Sequence, residues 1–460
     1  MAAEKSVKEY VVDWIHENRE VFESIALELW EHPELSLKEF QSSRALADIL
    51  RRHAFDVHTD MAQMPTAFIA SYGTGTPVIG INAEYDALPG LSQAAGKSVK
   101  EPLSAGAPGH GCGHNLLGTA GIMAAIALRY AMERYQLKGT IRVFGSPAEE
   151  LCIGKPFMAR EGCYDGVDCF LDWHPWNYNR ADYDTCNAYF NMKFRFYGKA
   201  AHGNAPWKGV SALDAAILMA HAIEMLREHI PSAPADAANT INYTFSDTGP
   251  AFPSVVPDHA ALWCVGRFET SELMHSVMQR LELCAKGCAM ATGASCESEL
   301  ITATHEKIPN ETLSHVIHDN LLALGTPAYT QEEHAVARAM QAGEFLPQDG
   351  LDTAIKEFGT SGTALCDTSE YSWHAPYATF WLAMAPAGNW HNWMVTAMAG
   401  CSVGLKAMVK AAEILSCSVI DLLERPELLS AARQEWERRM NGRKYVSFLP
   451  DDATIPTDIV

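Results

Sequence analysis

The sequence predicts an α/β protein in which a mixed-sheet domain, with helices on both faces, is interrupted by a smaller α+β domain. Candidate strands and helices alternate over residues 1–188 and resume after residue 306, which is typical of a largely parallel or mixed sheet. Between them, residues 189–305 follow the order β-α-β-β-α-β of ferredoxin-like domains. We therefore expect a main domain built from 1–188 and 306–460, with an inserted domain at 189–305.

Hydrophobic periodicity places the elements of the main domain. Its expected helical segments are helices at 7–31, 40–53 and 115–133, a helical insertion at 327–349, and several helices over 392–424. Its expected strands are 66–73, 77–88, 139–150 and 168–176, and residues 379–388 are expected to be a strand or a loop. Asn115 is a candidate N-cap for the third of these helices, because its side chain can accept a backbone N–H bond.

The inserted domain begins with the alternating strand "YFNMKFRFYG". Its further elements are helices at 210–228 and 271–291 and strands at 239–246, 259–267 and 295–303. A four-stranded sheet of this kind leaves one edge exposed, and pairing that edge with a second copy is a simple route to a dimer.

Composition excludes some classes of partner. The 460 residues carry a net charge of −21, so nucleic acid and anionic membranes, which both require a basic surface, are not expected partners. No apolar run approaches the roughly 18 residues of a membrane span. The N-terminus lacks a basic segment followed by an apolar one, so we expect a cytoplasmic protein. The twelve cysteines form no regular framework, and most should be free, buried thiols.

The segment "GHGCGHNLLGTA" places Cys112 and His114 two residues apart, with a glycine between them. Thiolate and imidazole are both transition-metal ligands, and glycine lets the backbone approach a bound group closely. A tight glycine turn with a buried cysteine would also explain the pattern. The neighbouring His110 is a third candidate at this stage.

Other candidates follow predicted strands. Glu149 and Glu150 end one strand, and adjacent carboxylates can divide their roles, one binding metal and its neighbour acting on water. His174 ends the next strand, and His391 lies in "GNWHNW" before a helix. Each of these has an ordinary explanation as a solvated turn or a polar strand end. Together with Asp86 in "EYDALPG", however, most of them fall at strand ends, where functional groups of open α/β sheets collect.

The ordered set "EYDALPGLSQAAG", "GHGCGHNLLGTA", "SPAEE", "LDWHPW", "KAAHG" and "GNWHNW" resembles a metallopeptidase/amidohydrolase family. That family contains carboxypeptidase G, aminoacylase and the plant hydrolases of indole-3-acetyl-amino acids. Within it, "GHGCGHNLLGTA" and "TQEEHAVARAMQA" favour the subgroup that acts on aminobenzoyl-glutamate. The resemblance extends from "HPELS" at 32–36 to the helix after His391. It implies a catalytic domain that holds two divalent metals and a ferredoxin-like lid that dimerises.

The resemblance also assigns roles. The implied metal ligands are Cys112, His114, Glu150, His174 and His391. Glu149 would be the general base, which takes a proton from water and delivers it to the leaving amine. Asp86 would not bind metal itself but would contact one of the metal ligands and orient it. His202 in "GKAAHG" would reach the neighbouring subunit's active site and steady the oxyanion, unless it is merely a loop histidine near the dimer interface.

Two lid residues are expected to contact substrate. Arg267 matches a residue that holds a substrate carboxylate, for which a guanidinium fork is suited, although a structural salt bridge would also explain it. Ser254 stands where the family usually has a substrate-binding asparagine, and Asn115 stands where it usually has an aspartate. The serine at position 254 leaves open which residues contact the substrate.

The resemblance implies hydrolysis of the amide bond of N-acyl or N-aroyl amino acids, with aminobenzoyl-glutamate the nearest type. Two alternatives stay open: hydrolytic deamination or other C–N cleavage of an aromatic substrate on the same scaffold, and a non-catalytic partner subunit of a hydrolase. The resemblance favours Mn²⁺ as the metal, whereas the sulfur of Cys112 suits Zn²⁺. The expected partners are a small carboxylate-bearing substrate and either a second copy, bound through the lid, or a homologous subunit.

Overall fold

The computed structural model describes residues 5–233, 239–360, 362 and 366–459. The helices in these ranges are α1 (Val7–Glu31), α2 (Phe40–Arg52), α3 (His114–Tyr135), α4 (Gly154–Arg160), α5 (Ala212–Arg227), α6 (Ser271–Thr292), α7 (Glu311–Leu324), α8 (Gln331–Gly343), α9 (Ser369–His374), α10 (Trp393–Ala399), α11 (Ser402–Glu424) and α12 (Pro426–Met440). The strands are β1 (Asp56–Thr59), β2 (Phe68–Thr74), β3 (Val78–Ala83), β4 (Gly139–Gly145), β5 (Cys169–Trp176), β6 (Arg180–Ala181), β7 (Ala188–Tyr197), β8 (Thr240–Asp247), β9 (His259–Phe268), β10 (Ser295–Thr304) and β11 (Tyr377–Ala383).

The main sheet has seven strands in the order β1-β2-β4-β3-β5-β11-β6. Its centre is parallel, because β3 pairs in parallel with β4 and β5, and β11 pairs in parallel with β5. The outer strands β1, β2 and β6 pair antiparallel to their neighbours. This is the mixed sheet that the sequence predicts, and it brings the carboxyl ends of β3, β4, β5 and β11 to one edge.

Both faces of the main sheet are buried, as the apolar runs of its central strands predict. Ile141 and Val143 of β4 join a core with α1, α3 and α11, while Phe144 of the same strand joins a second core with α4 and α9. The alternation of side chains along a strand sends neighbouring residues into these two cores. The expectation of helices on both faces is therefore confirmed.

Helix α3 packs against β3 at unusually close range. A Cβ atom on Gly118 would lie 2.4 Å from the backbone oxygen of Glu84, and one on Gly121 would lie 2.5 Å from that of Asn82. The two glycines thus let the helix backbone rest on the strand, which sets the start of α3 beside the end of β3. Among the described residues, α3 alone is long and apolar enough to cross a membrane, but 89% of its most apolar window is buried in the fold.

The second sheet is antiparallel, in the order β10-β7-β9-β8. Helices α5 and α6 pack on it, and the chain order β7-α5-β8-β9-α6-β10 is the predicted ferredoxin-like order. The sheet runs from Ala188 to Thr304, and its edge strand β8 pairs with β9 alone in the described chain. The domain boundaries and pairing of this lid with a second copy stay predictions.

Three expectations about the elements need correction. The strand expected at 77–88 ends at Ala83 and the one at 139–150 ends at Gly145, because the ladder between β3 and β4 stops at that pair. The helices expected over 392–424, by contrast, are present as α10 and α11. Within 327–349, only α8 is helical.

Asn115 is not an N-cap. Helix α3 begins at His114 after an N-cap at Gly113, so Asn115 lies inside the helix, and no side chain caps the helix start. The side-chain amide of Asn115 donates hydrogen bonds to the backbone oxygens of Ala26, at 3.0 Å, and Ala399, at 3.2 Å. Asn115 therefore ties the site-forming end of α3 to α1 and α10.

Candidate metal centre and active site

The predicted ligands meet at the carboxyl edge of the main sheet, beside a cavity of about 950 Å³. Cys112, Glu149, Glu150, His174 and His391 all line this cavity. They come from the segments that follow β3, β4 and β11 and from the end of β5. The parallel centre of the sheet thus brings together residues that lie up to 279 positions apart in the sequence.

Gly113 makes the turn between Cys112 and His114. Its φ is +82°, a conformation that glycine adopts without strain, and a Cβ there would lie 3.1 Å from Pro175. His114 already belongs to α3, so the chain turns into the helix between Cys112 and His114. The turn places both side chains beside His174.

A set of side-chain atoms close enough together to bind one metal ion is called a donor group, and two such groups include Cys112. Its Sγ forms one group with the side chains of His114 and His174, and another with those of Glu150 and His391. Sγ lies 3.5 Å from His174 Nε2, and His391 Nε2 lies 3.4 Å from Glu150 Oε2. Bonds of roughly 2.0–2.3 Å in a tetrahedral site hold their donors ~3.3–3.8 Å apart. These separations fit donors of a common ion, so each of the two groups could hold one divalent ion, with Cys112 available to both.

The two imidazoles are oriented by contacts at their other nitrogens. His114 Nδ1–H donates to Asp86 Oδ1 at 2.9 Å, and His174 Nδ1–H donates to the backbone oxygen of Pro175 at 2.6 Å. Asp86 Oδ2 accepts from the hydroxyl of Ser36 and the backbone N–H of Glu150. The Nε2 atoms of both rings are therefore directed at the donor groups, the orientation that ligand histidines require. Asp86 thus contacts an expected ligand, His114, and its role in orienting that ligand stays a prediction.

The backbone of His391 adopts a left-handed conformation that is uncommon for residues other than glycine. Its φ is +58°, and its side chain remains 49% exposed at the mouth of the site. Strain of this kind persists where the surrounding structure requires it, and it clusters at functional sites. Here it directs Nε2 toward Glu150.

The shifted pKa values of the side chains in the site favour a bound cation. Burial, with the nearby carboxylates of Glu84 and Glu150, raises the pKa of Glu149 well above its ordinary value. Burial also raises the pKa of Glu150 to about 8, and burial and the charge of His114 lower the pKa of His174 to about 4. Crowded carboxylates and a neutral imidazole are the groups that a divalent cation stabilises.

Buried polar atoms that lack a hydrogen-bond partner also indicate a bound cation. Among the described residues, His114 Nε2, Glu84 Oε2 and Glu150 Oε1 are buried without a hydrogen-bond partner. Orphaned polar atoms are uncommon in native interiors, and all three of these belong to residues of the donor groups, which fits a metal site. Glu149 lies beside them, with Oε2 3.7 Å from His114 Nε2.

The remaining predicted residues lie farther out. His202 and Ser254 sit on adjoining exposed loops, where Gly203 N–H donates to Ser254 O, and neither lines the cavity of its own chain. His110 is fully buried and its Nε2 bonds to the backbone oxygen of Leu29, so it belongs to no donor group. The role of His202 in a partner's site stays a prediction.

Arg267 does line the cavity. Its guanidinium lies 5.7 Å from the ring centroid of Tyr189, and it makes no ion pair with any residue that the structure describes. An unpaired guanidinium on a cavity wall is available to a carboxylate ligand.

Sequence reasoning did not find an aromatic wall on the same cavity, formed by Trp176, Tyr178, Trp381 and Trp390. The ring centroids of Trp176 and Trp390 are 4.5 Å apart, and Tyr178 lies 6.1 Å from Trp176 and 6.4 Å from Trp381. The indole N–H of Trp390 donates to the sulfur of Cys112 at 3.3 Å. The wall is therefore continuous with the donor groups. Its members stand in two tryptophan-rich segments, but only the fold shows that these segments meet.

Sequence reasoning also missed Glu84, which lies with His114 and Glu149 in a third donor group. The available signal was an acidic residue directly after an apolar strand, two positions before Asp86. Glu84 pairs with Lys155, which is fully buried.

The model of the peptidase family M20/M25/M40 matches residues 80–415. The chain belongs to this family. Its members are hydrolases, and the match covers the donor groups from Glu84 to His391. The metallopeptidase/amidohydrolase class predicted from the motifs is thereby confirmed.

Among curated relatives, the chain is 32% identical to a subunit of the p-aminobenzoyl-glutamate hydrolase of Escherichia coli (strain K12), over 98% of this chain and 99% of that one. It is 26% identical to the Xaa-Arg dipeptidase of Homo sapiens, over 94% and 92% of the two chains.

Solved structures share the fold. A putative aminohydrolase from methicillin-resistant Staphylococcus aureus superimposes with a TM-score of 0.63 at 20% identity, covering 90% of this chain and all of that one. An aminobenzoyl-glutamate utilization protein from Klebsiella pneumoniae gives 0.58 at 17% identity, covering 90% and 98%. These likenesses support the two-part architecture described above.

Proposed function

We propose that the chain hydrolyses the amide bond of N-acyl or N-aroyl amino acids in a metal-dependent reaction. The observation that carries the proposal is a pair of donor groups that share Cys112, with the carboxylate of Glu149 directly beside them. The relative named for p-aminobenzoyl-glutamate hydrolysis matches over almost the whole length of both chains, which supports this reaction type.

The residues that would hold two divalent ions are Cys112, His114, Glu150, His174 and His391. When bound, such ions polarise a carbonyl and lower the pKa of water. Glu149 takes a proton from the attacking water as a bond forms to the amide carbon. It then delivers that proton to the amine nitrogen as the C–N bond breaks, so the products are a carboxylic acid and a free amine. Burial beside two other carboxylates makes Glu149 a stronger base than an exposed glutamate.

Two features of the cavity support an aroyl amino acid as substrate. Arg267 presents an unpaired guanidinium, which matches the carboxylate of the amino-acid product. The aromatic wall presents ring faces next to the donor groups, where a planar acyl group would stack. An aminobenzoyl-glutamate fits both features.

We also propose a dimer that forms through the edge of the lid sheet, either with a second copy or with a homologous subunit. The Escherichia coli relative is named as one subunit of a hydrolase, which supports a partner. Manganese is the metal that we expect, with zinc as the alternative that sulfur at Cys112 favours. The cytoplasmic location expected from the sequence stays a prediction.

The test is a substrate panel assayed with Mn²⁺ or Zn²⁺ present and again after chelation. It compares N-acetyl-, N-benzoyl- and N-(4-aminobenzoyl)-amino acids with amino-substituted aromatics that lack an amide. We expect metal-dependent release of amino acid, fastest from the aroyl substrates. Ammonia release from the simple aromatics would instead support the deaminase alternative, and an inactive but folded chain would support the partner-subunit alternative.

Variants of Arg267 test the substrate carboxylate. Arg267→Ala should raise KM for aroyl amino acids by about ten- to 100-fold, because a charge-assisted hydrogen bond contributes roughly 1.5–3 kcal/mol. Arg195→Ala is the matched control, since this lid arginine pairs with Glu299 and does not line the cavity. Equal effects of the two variants would contradict the assignment.

A further inference from the structure

The indole of Trp390 lies directly against the sulfur of Cys112. Its Nε1–H donates to Sγ at 3.3 Å. An indole N–H can only donate, so the direction of this hydrogen bond does not depend on how the neighbouring imidazoles are protonated. Cys112 is the residue that two of the donor groups share, so the contact reaches the centre of the proposed metal site.

Neighbouring rings hold the indole in place. Trp390 comes from the loop after β11, but its ring stacks on that of Trp176, with centroids 4.5 Å apart and planes inclined by 34°. Trp176 is the last residue of β5, and the ring of His174, on the same strand, meets it edge to face at 5.9 Å. The two tryptophans thus brace the pair formed by Cys112 Sγ and His174 Nε2, which are 3.5 Å apart.

A metal-bound thiolate has room for this hydrogen bond. Besides its bond to Cβ, a thiolate sulfur carries three lone pairs, and ions in the two donor groups of Cys112 would use at most two of them. The remaining lone pair can accept from an N–H group. Hydrogen bonds to an ionised acceptor are roughly twice as strong as neutral ones, and a cysteine binds metal as the thiolate. The indole N–H therefore favours the form of Cys112 that a cation requires.

An N–H group at a ligand sulfur also changes how that sulfur binds. It draws charge from the sulfur, so the metal–sulfur bond becomes less covalent, and proteins adjust metal–thiolate sites by such hydrogen bonds. A sulfur that donates less charge is a better ligand for a hard ion such as Mn²⁺ than an unmodified thiolate is. The contact with Trp390 thus bears on the choice between manganese and zinc, which residue types alone leave open.

We propose that Trp390 is a positioning residue of the metal centre, whose indole N–H orients the sulfur of Cys112 and reduces the charge that this sulfur donates to a bound ion. The inference rests on the proposed function, in which Cys112 is a metal ligand. The next residue, His391, belongs to the second donor group of Cys112. The stack on Trp176 therefore restrains a loop that carries both the N–H group and an expected ligand.

The experiment compares two substitutions of the same type on the aromatic wall, in chelator-treated full-length protein reloaded with Co²⁺ or Mn²⁺. Trp390→Phe keeps an aromatic ring beside Trp176 but removes the N–H group. Trp381→Phe is the matched control, because Trp381 lines the same cavity and no hydrogen bond joins it to Cys112 in the described part of the chain. Near-ultraviolet absorption follows the sulfur-to-cobalt charge-transfer band, and calorimetry measures the affinity for Mn²⁺.

Wild type should show the charge-transfer band, and Cys112→Ser should lose it, which assigns the band to this sulfur. In Trp390→Phe the band should move to lower energy, because the lone pairs of a sulfur without the hydrogen bond are higher in energy. Mn²⁺ should bind about ten- to 100-fold more weakly, the range typical for loss of a contact that supports a ligand. Trp381→Phe should match wild type in both measurements.

The outcomes separate this inference from the proposed function. A Trp390→Phe protein whose band and Mn²⁺ affinity match those of Trp381→Phe overturns the inference alone. Weaker Mn²⁺ binding with an unmoved band also overturns it, because that combination marks a merely structural role. Wild type that binds neither ion, or a band that survives in Cys112→Ser, overturns the metal centre and with it the proposed function.

A second replacement serves if Trp390→Phe does not fold. Benzothienylalanine in place of Trp390 keeps both fused rings and lacks the N–H group. The same movement of the band and the same loss of Mn²⁺ affinity are expected, and their absence would contradict the role of Trp390.

Discussion

Replacing Glu149 with glutamine tests the proposed base at almost constant shape. The side chain is buried, with its Oε2 3.7 Å from His114 Nε2, and glutamine fills the same volume but cannot take a proton at neutral pH. A positioned general base contributes roughly 10²–10⁴-fold. At about 1.36 kcal/mol per tenfold, the barrier should rise by about 2.7–5.4 kcal/mol. The loss should appear in kcat, with KM for an aroyl amino acid little changed.

Turnover is measured by chromatographic release of the amino acid, and bound metal by elemental analysis of the same preparations. Glu150→Gln is the matched control. Glu150 belongs to the donor group of Cys112 and His391, whereas Glu149 belongs to neither of the two groups that contain Cys112. Glu150→Gln should lose metal as well as activity, while Glu149→Gln should keep its metal. A Glu149→Gln enzyme that keeps its metal and turns over within about threefold of wild type would refute the assignment of Glu149 as the base.

Three further predictions concern packing, metal choice and assembly. Gly118→Ala should lower the free energy of unfolding by about 1–3 kcal/mol, because its Cβ would lie 2.4 Å from a backbone oxygen. Gly287→Ala, in open space on α6, should instead raise it by about 0.5–1 kcal/mol, because alanine favours a helix more than glycine does. Thermal denaturation of the two variants tests whether the changes have opposite signs. Cys112→Asp should raise the affinity for Mn²⁺ relative to Zn²⁺ by about tenfold or more in competition binding, because a carboxylate replaces a soft thiolate, and an unchanged ratio would show that sulfur does not set the preference. If His202 acts across a homodimer, equal mixing of inactive His202→Ala and Glu149→Gln chains should restore about a quarter of wild-type activity, and no recovery after verified exchange of subunits would contradict action in trans.

Local patterns in the sequence were sufficient for most of the elements. Helix α1 was predicted with both ends correct, and the order of the lid elements was predicted in full. These segments carry a complete periodic pattern, so burial of one face decides their structure. Errors arose where an element ends for a nonlocal reason. The strand after residue 77 stops at Ala83 because its partner β4 has reached its last paired residue, which no local pattern records.

The candidate ligands were inferred from the ordered motifs, and the structure brings them together at one edge of the sheet, while their binding of metal stays a prediction. Glu84 was missed because a glutamate after a strand is ordinary until Lys155, 71 positions later, fixes one of its oxygens. The aromatic wall was missed for a similar reason, because β5 and β11 become neighbours only in the folded sheet.

The sequence by itself determined the kind of chemistry: thiolate, imidazole and paired carboxylates at strand ends, in an order typical of one hydrolase family. It could do so because residue type sets the ligand atoms, and the apolar pattern sets which of them follow strands. Only the tertiary structure decided which donors meet, which oxygen of Glu84 faces His114, and which guanidinium is left unpaired on the cavity wall. Distances of a few ångströms between remote segments depend on how the helices and strands pack, and packing is a property of the whole fold.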